Sequence, residues 1–146
     1  MKILLINGAN LNMLGIREPE KYGAKSLADI ESAVIGHGKN LGVEVETYQS
    51  NIEGEIVEKI QHALGMYDGI LINAGGYTHT SVVIRDAIAA VKIPTVEIHM
   101  TNIHAREEFR HTSLLSGVCK AIVAGFGDKS YILALEGLVS ILKQPQ

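Results

Sequence analysis

Short apolar runs alternate along the chain with segments in which apolar residues recur at helical spacing, and this alternation constrains the fold more than any other feature. The apolar runs fall at 3–6, 43–48, 69–72, 95–98 and 121–124. They are short, and several are apolar on both sides, which is typical of strands buried beneath helices. The helical patterns fall at 26–41, 56–64, 81–91 and 128–142. Five strands alternating with four helices predict an α/β fold, in which helices cover both faces of a doubly wound, five-stranded parallel sheet.

Two helix starts carry capping signals. Ser26 is followed three residues later by Asp29, which is close to a capping box, and Asp128 precedes the last helical pattern. The order of the strands is expected to be flavodoxin-like by analogy, because periodicity alone does not determine it. A chain of 146 residues without a visible linker is expected to form one domain, 1–146.

Composition and charge exclude several classes of protein. Apolar residues make up 47% and charged residues 20%, which is incompatible with a disordered chain. The net charge is −3 without a basic run, so we expect neither nucleic acid nor a membrane as a partner. Cys119 is the single cysteine, so an internal disulfide framework is impossible. The apolar N-terminal run is too short for a signal segment or a membrane span, and a soluble, cytoplasmic protein is expected.

Polar, glycine-rich sequence follows three of the predicted strands. The three segments are 7–12, 73–81 and 99–106. Because ligands of open α/β sheets bind outside the carboxyl ends of the strands, the functional site is expected where these segments meet.

The connection at 15–25 is long for a loop between a strand and a helix. Taken by itself, such a loop is more often a solvated connector than a functional lid. Arg17 and Tyr22 share it, however, and a guanidinium beside a phenol favours the phenolate, which can act as a base. This pairing favours a lid.

Glu97 and His99 stand two residues apart at the end of the fourth strand, and therefore on the same side of it. A carboxylate there can hold one imidazole nitrogen and leave the other facing a ligand. A surface histidine at a strand end is an equally good interpretation of His99 alone, but the neighbouring polar loops favour acid–base chemistry. Arg106 and Arg110 resemble a solvated helical face, yet they are also the positive partners that an anionic substrate would need.

Other chemistries find little support. Gly75-Gly76 resembles a turn that lets a ligand approach the main chain, but it is part of neither a GxGxxG nor a P-loop motif. The histidines at 99, 104 and 111 lack metal-ligand spacing, and no GxSxG motif surrounds Ser81 or Ser113. We therefore expect no metal and no cofactor.

Read together, these segments resemble the type II 3-dehydroquinate dehydratases (type II dehydroquinases). The matching stretches are NGANLNMLG at 7–15, REP at 17–19 with YG at 22–23, QSN at 49–51 with EG at 53–54, NAGGYTHTS at 73–81, and EIH at 97–99 with NIHAREEFRH at 102–111. The resemblance spans nearly the whole chain, in the family's order.

The resemblance implies an enzyme that removes water from 3-dehydroquinate to give 3-dehydroshikimate, a step of the shikimate pathway. The reaction is a trans elimination through an enolate and uses no metal, nucleotide or Schiff base. Tyr22 would be the base, activated by Arg17. Asn10 would hold the water that stabilises the enolate oxygen. His99, positioned by Glu97, would protonate the departing hydroxyl.

The resemblance also implies a set of substrate-binding residues and an assembly. The binding residues would be Asn73, His79, Arg110 and the main chain of Met100 and Thr101. Asp86 corresponds to a residue that reaches the site of a neighbouring subunit. The family forms dodecamers built from trimers, so a homo-oligomer is expected.

This sequence departs from the family's pattern at three positions. Ala9 replaces the usual proline, Thr101 replaces a serine but keeps the hydroxyl, and Thr112 stands where a second histidine is frequent. None of these changes removes a residue of the expected mechanism. Two alternative functions are a flavodoxin-like module that binds an anionic metabolite without turnover, and a metal-dependent hydrolase. The presence of a base and an acid disfavours the first, and the missing ligand spacing disfavours the second.

Overall fold

The computed structural model describes residues 1–16 and 18–145. The strands are β1 (Lys2–Asn7), β2 (Glu44–Gln49), β3 (Gly69–Asn73), β4 (Thr95–His99) and β5 (Ala121–Ala124). The α-helices are α1 (Pro19–Tyr22), α2 (Leu27–Asn40), α3 (Glu53–Gln61), α4 (Val82–Val91) and α5 (Lys129–Lys143). Short 3-10 helices occupy Leu11–Met13, Gly75–His79, Ile103–Ala105, Glu108–Arg110 and Ser116–Val118.

The strands of the described residues form one parallel sheet in the order β2-β1-β3-β4-β5. This order confirms the predicted flavodoxin-like, doubly wound α/β fold. In the register of the sheet, Asn7 at the end of β1 lies opposite both Gln49 and Asn73. The carboxyl ends of β2, β1 and β3 therefore finish at the same level, with the polar loops extending from one edge.

Helices cover both faces of the sheet and define two core layers. Successive residues of β1 alternate between them: Ile3 and Leu5 pack with α2 and α5, while Leu4 and Ile6 pack with α3 and α4. All four side chains are fully buried. This two-sided burial explains why β1 is apolar at every position from Ile3 to Ile6 instead of alternating with polar residues. Within the described part of the chain, no helix is long and apolar enough to cross a membrane.

The helix starts agree with the sequence at Ser26 and differ at Asp128. Ser26 and Asp29 form both hydrogen bonds of a capping box at the start of α2. Asp128 occupies the N-cap of α5, but its side chain makes no capping bond. The prediction of a capping side chain is wrong here because Asp128 already has helical backbone angles and its carboxylate accepts instead from Lys25 Nζ at 2.9 Å.

Two further differences concern helix limits. The helix α1 lies inside the predicted loop at 15–25, and four residues are too few to produce a helical apolar period. Proline at its first turn suits a helix start, because that position needs no N–H donor. The helix α3 begins at Glu53 rather than at 56, since its first turn is acidic and therefore invisible to an apolar pattern.

The loops after β1 and β3 pack main chain against main chain. Gly8 N donates to Asn73 O at 2.7 Å, and a Cβ atom at Gly8 would lie only 2.3 Å from Ala74 O. Gly75 has a φ of +63°, and a Cβ atom there would lie 2.6 Å from Ala9 O. Only glycine permits this close approach at both positions, and at Gly75 it also suits the left-handed backbone. The contact brings the two polar loops together at the edge of the sheet.

We expect Gly8→Ala to lower the free energy of unfolding by more than about 2 kcal/mol, because the added methyl group must displace a main-chain carbonyl. The matched control is Gly36→Ala, on the exposed side of α2, where nothing lies within 4 Å of the new methyl group. That change should raise the free energy of unfolding by up to about 1 kcal/mol, because alanine is the better helix former. Urea denaturation of both variants measures the contrast, and a Gly8→Ala protein as stable as wild type would contradict it.

Candidate active site

A cavity of about 130 Å³ opens at the carboxyl ends of β1, β3 and β4. The sequence-predicted residues that line it are Asn10, Asn73, His79, His99, Met100, Thr101 and Arg110. Leucine, methionine and isoleucine side chains form an apolar part of the wall, at Leu11, Met13, Leu14 and Ile103. The three polar loops thus meet at one site, as the sequence predicted.

His99 is the last residue of β4, and Glu97 lies directly behind it in the interior. Glu97 is completely buried, while His99 is 6% exposed and lines the cavity. The imidazole Nε2 is hydrogen-bonded to the Glu97 carboxylate. Because Nε2–H donates a hydrogen bond to the carboxylate, Nδ1 is the ring nitrogen that can contact a ligand. The His79 ring is stacked on the same imidazole, with centroids 6.4 Å apart.

Two serine hydroxyl groups complete the surroundings of the Glu97 carboxylate. Ser116 Oγ donates to Oε1 at 2.6 Å, and Ser113 Oγ donates to Oε2 at 2.8 Å. Ser113 Oγ also accepts the main-chain N–H of Leu115 and of Ser116, each at 3.1 Å, which fixes where its own hydrogen points. Both carboxylate oxygens therefore have hydrogen-bond donors, as a charge inside a protein requires.

These contacts determine the ionisation of Glu97. Burial alone acts most strongly and would raise the pKa of this carboxyl group. The hydrogen bonds from His99, Ser116 and Ser113, together with the positive charge of a protonated His99, outweigh it and hold the pKa below its usual value of 4.5. Glu97 is therefore a carboxylate, able to orient the imidazole of His99 and to stabilise an imidazolium.

The segment 112–116, which carries the two serines, is hydrogen-bonded to neighbouring elements. Leu114 N donates to Thr78 O at 2.8 Å, and Leu114 O accepts from Arg85 Nη1 of α4 at 2.6 Å. His79 Nδ1 donates to Thr112 O at 2.9 Å. The same imidazole that lines the cavity thus helps to hold the segment, and its Nε2 remains for a ligand.

Cationic side chains form one wall of the cavity. Arg106 and Arg110 both line it, and neither Asp nor Glu occurs among its described lining residues. Arg110 Nε donates to Glu107 Oε2 at 3.1 Å, and Arg106 Nη1 donates to Thr101 Oγ1 at 3.4 Å. The excess of positive charge suits an anionic ligand.

The loop that carries Asn10 is supported from β2. Asn10 has a left-handed φ of 71°, and its N–H donates to Asn51 Oδ1 at 2.9 Å. Gln49 Nε2 donates to that same oxygen at 3.1 Å and to Gly8 O at 3.2 Å. Tyr77 Oη donates to Asn51 O at 2.8 Å, which ties the loop after β3 to the same support. The QSN stretch therefore shapes the Asn10 loop and does not line the cavity.

The remaining predicted residues are not brought to the cavity or cannot be placed in it. Asp86 lies on the exposed face of α4 and is absent from the described lining. Arg17 and the side chain of Tyr22 lie outside the described residues, so their predicted roles stay predictions. The rings of His104 and His111 lie 6.1 Å apart on the exposed loop, and neither residue is among the described lining of the cavity. Among the described residues, no group of three His, Cys, Asp or Glu side chains could hold a metal ion.

Sequence reasoning missed several residues that shape the site. The local sequence suggests a role for Ser113 only as a nucleophile, and it marks neither Ser116 nor Tyr131 as part of the site. The signal for the serines is the segment HTSLLSG after the arginines, but only the fold shows that their hydroxyl groups reach a strand more than fifteen residues earlier. Arg106 was noted as a charge, and the structure adds that it lines the cavity.

Fold and site together define an α/β protein with a buried carboxylate–imidazole pair and a cationic wall at the carboxyl end of its sheet. The family model described as dehydroquinase class II matches residues 1–139, and the chain belongs to this family. The 3-dehydroquinate dehydratase of Prochlorococcus marinus (strain NATL1A) is 54% identical over 144 residues, which is 99% of each chain. The enzyme of the same name from Campylobacter jejuni serotype O:2 is 53% identical over 99% of this chain and 91% of its own length.

Solved structures agree with the sequence relatives. The type II dehydroquinase from Butyrivibrio crossotus DSM 2876 superposes with a TM-score of 0.93 at 48% identity and covers 95% of this chain and 97% of that one. The type II dehydroquinase from Propionibacterium acnes gives a TM-score of 0.92 at 38% identity, with 95% and 96% covered. The resemblance expected from the sequence motifs is confirmed.

The hydrogen bonds to Glu97 should affect how the free energy of unfolding depends on pH in the acid range. A carboxyl group whose pKa is depressed by folding contributes stability that is present above its unfolded pKa and is lost as the pH falls through its folded pKa. Ser116→Ala removes one donor and should raise the folded pKa of Glu97, so that acid unfolding begins at a higher pH than in wild type. Near neutral pH the loss in free energy of unfolding should be about 1.5–3 kcal/mol, as for a hydrogen bond to a charged group.

Circular dichroism during acid titration and urea denaturation at each pH measure both effects. Ser32→Ala, on the exposed side of α2, is the matched control and should leave the acid midpoint unchanged. An acid midpoint in Ser116→Ala equal to that of wild type would remove this serine from the group that keeps Glu97 ionised.

Proposed function

We propose that this protein is a type II 3-dehydroquinate dehydratase. It removes water from 3-dehydroquinate by trans elimination through an enolate and yields 3-dehydroshikimate. The relatives named 3-dehydroquinate dehydratase, which cover nearly the whole chain at more than half identity, support this proposal. Placement in the shikimate pathway follows from that activity.

The observation that carries the proposal is the Glu97–His99 pair at the edge of the cavity. A ligand-binding module needs no buried carboxylate behind a cavity-lining imidazole. An elimination needs a proton donor for the departing hydroxyl group, and an imidazolium stabilised by a carboxylate can supply that proton. Glu97 is fully buried with donors on both oxygens, so its negative charge is available to the imidazolium without exposure to solvent. His99 is then the proton donor, and Glu97 orients it.

The base on the other side of the substrate would be Tyr22. Arg17 would favour its phenolate form, and lowering a tyrosine pKa of about 10 by roughly two units requires about 3 kcal/mol of preference for the charged form. Asn10 would hold the water that stabilises the enolate oxygen. The segment 15–25, including α1, would be the lid that carries the base over the cavity. These roles rest on the family resemblance.

The substrate is a carboxylate with several hydroxyl groups, and the cavity offers complementary groups. Arg110, assisted by Arg106, provides positive charge, while Asn73 and His79 provide directional hydrogen bonds. The main chain of Met100 and Thr101 would contribute further donors at the end of β4. The apolar wall would face the carbon ring.

A homo-oligomer is part of the proposal, in the family's form of a dodecamer built from trimers. Asp86 supports it, because it stands on the exposed face of α4 together with Val82 and Val83, which are 57% and 49% exposed. An apolar exposed face around a carboxylate suits contact with another subunit, whose site Asp86 would enter. The cytoplasmic location and the single domain 1–146 stay predictions.

The purified protein should convert 3-dehydroquinate into a conjugated product that is followed directly by ultraviolet absorbance. Activity should be unaffected by EDTA, and borohydride with substrate should leave no adduct detectable by mass spectrometry, because the mechanism requires neither a metal nor a Schiff base. Loss of activity on chelation would instead favour metal-dependent chemistry.

Isothermal titration calorimetry with the same substrate tests the alternative of a non-catalytic binding module. Heat of binding without product formation would overturn the enzymatic proposal and support that alternative. Product formation decides in favour of the lyase.

We expect His99→Ala to lower kcat by about 10²- to 10⁴-fold, the usual contribution of general acid catalysis. Glu97→Gln should lower kcat by a smaller factor, because glutamine can still contact the ring. Some loss is expected because glutamine carries no negative charge to stabilise the imidazolium. The double variant should be hardly slower than His99→Ala alone, since the two side chains act as one unit. Steady-state kinetics of the three variants test whether the two side chains act together. If the losses in kcat multiply in the double variant, Glu97 acts independently of His99.

A further inference from the structure

Tyr131 connects the last helix to two strand ends beneath the active site. Its side chain belongs to α5 and is fully buried. Tyr131 Oη donates to Asn7 Oδ1 at 2.7 Å and accepts from Asn73 Nδ2 at 2.8 Å. Asn7 and Asn73 are register partners at the ends of β1 and β3, so a single phenol bridges both.

The hydrogen bonds run in series from Gly75 through Asn73 and Tyr131 to Asn7, and the main-chain N–H of Gly75 determines the direction of all of them. Gly75 N donates to Asn73 Oδ1 at 3.2 Å, and a main-chain N–H can only donate. The oxygen of the Asn73 amide therefore faces Gly75, and its nitrogen faces Tyr131. Since the Tyr131 oxygen accepts from that nitrogen, the phenolic hydrogen goes to Asn7 Oδ1. The amide of Asn73 has one orientation, and Tyr131 is one of the two groups that impose it.

This orientation decides what Asn73 can offer to a ligand. The amide nitrogen carries two hydrogens, and one of them is given to Tyr131. Asn73 lines the cavity and is 4% exposed. The second hydrogen is a donor at the cavity wall, where the neighbouring arginines also favour oxygen atoms that carry negative charge.

We propose that Tyr131 is a positioning residue for the dehydratase reaction: it holds the Asn73 amide so that Nδ2 donates to an acceptor oxygen of the anionic substrate. This inference rests on the proposed function. Burial raises the pKa of Tyr131 above its usual value of 10, so the phenol is a neutral hydrogen-bond donor near neutral pH.

The test is Tyr131→Phe, which keeps the aromatic ring and removes only the hydroxyl group. Without that oxygen the Asn73 amide loses one of its two orienting partners. KM for 3-dehydroquinate should rise about tenfold, whereas kcat should change by less than about threefold, because the lost contact is made in the ground state and the transition state alike. Tyr67→Phe is the matched control: Tyr67 Oη also donates to a protein oxygen, Glu46 Oε1 at 2.6 Å, but neither residue lines the cavity.

A double-mutant cycle distinguishes positioning from a purely structural role. If Tyr131 acts through Asn73, then Tyr131→Phe should not raise KM further in an Asn73→Ala background. An unchanged KM in a folded Tyr131→Phe protein overturns the proposal, and so do KM increases that multiply in the double variant. A loss of thermal stability with unchanged KM would mean that the phenol serves the fold alone.

One measurement does not require Tyr131→Phe to fold. In wild type, the Asn73 side-chain amide resonances, assigned by their loss in Asn73→Ala, should shift when 3-dehydroshikimate is added, and unshifted resonances overturn the proposal. Turnover by wild type is measured first, and its absence would reject the dehydratase function. In that case the same cycle is run on Kd for 3-dehydroquinate, with the same expected and contradicting results, and a wild type that does not bind it overturns the inference as well.

Discussion

The rest of the active site depends on one buried negative charge. Glu97 lies inside a central strand with no access to water, where an unpaired carboxylate would be strongly unfavourable. Ser113, Ser116 and His99 supply the donors, and supplying them requires the segment after the arginines to fold back over β4. The same arrangement that supplies donors to the buried Glu97 carboxylate also places the His99 imidazole at the cavity, directly in front of that carboxylate. The contacts that stabilise this buried charge thus also hold the cavity-lining imidazole of His99 in place.

A second constraint operates through contacts that involve no charge. The loops after β1 and β3 approach so closely that glycine is required at positions 8 and 75, and the asparagines that end the two strands share one buried phenol. Both contacts tie the polar loops to rigid elements of the core. Such contacts hold the side chains of a loop-built cavity in defined orientations, because they restrict the loops that carry them.

Local sequence was informative wherever the signal lay within one element. The apolar runs predicted each strand of the described sheet to within a residue or two, and the pair Glu97–His99 followed from strand period alone. Prediction was weaker where the partner lies far along the chain. The position of Asp128 predicts a helix cap, but its side chain contacts Lys25. The residues next to Ser113 give no sign that its hydroxyl group donates to Glu97. Four-residue α1 was missed because so short a helix has no apolar period.

By itself the sequence determined the layered α/β architecture, the edge of the sheet that carries the site, and, through family motifs, the residues expected there. Those features depend on local periodicity and on short contiguous motifs, and both involve residues that are close together in the sequence. Only the tertiary structure decided which donors stabilise the charge of Glu97, which way the Asn73 amide points, and that Asp86 stands on an outer face away from the cavity. These depend on distances between segments far apart in the chain, and on the rule that buried polar atoms must find partners wherever the fold places them.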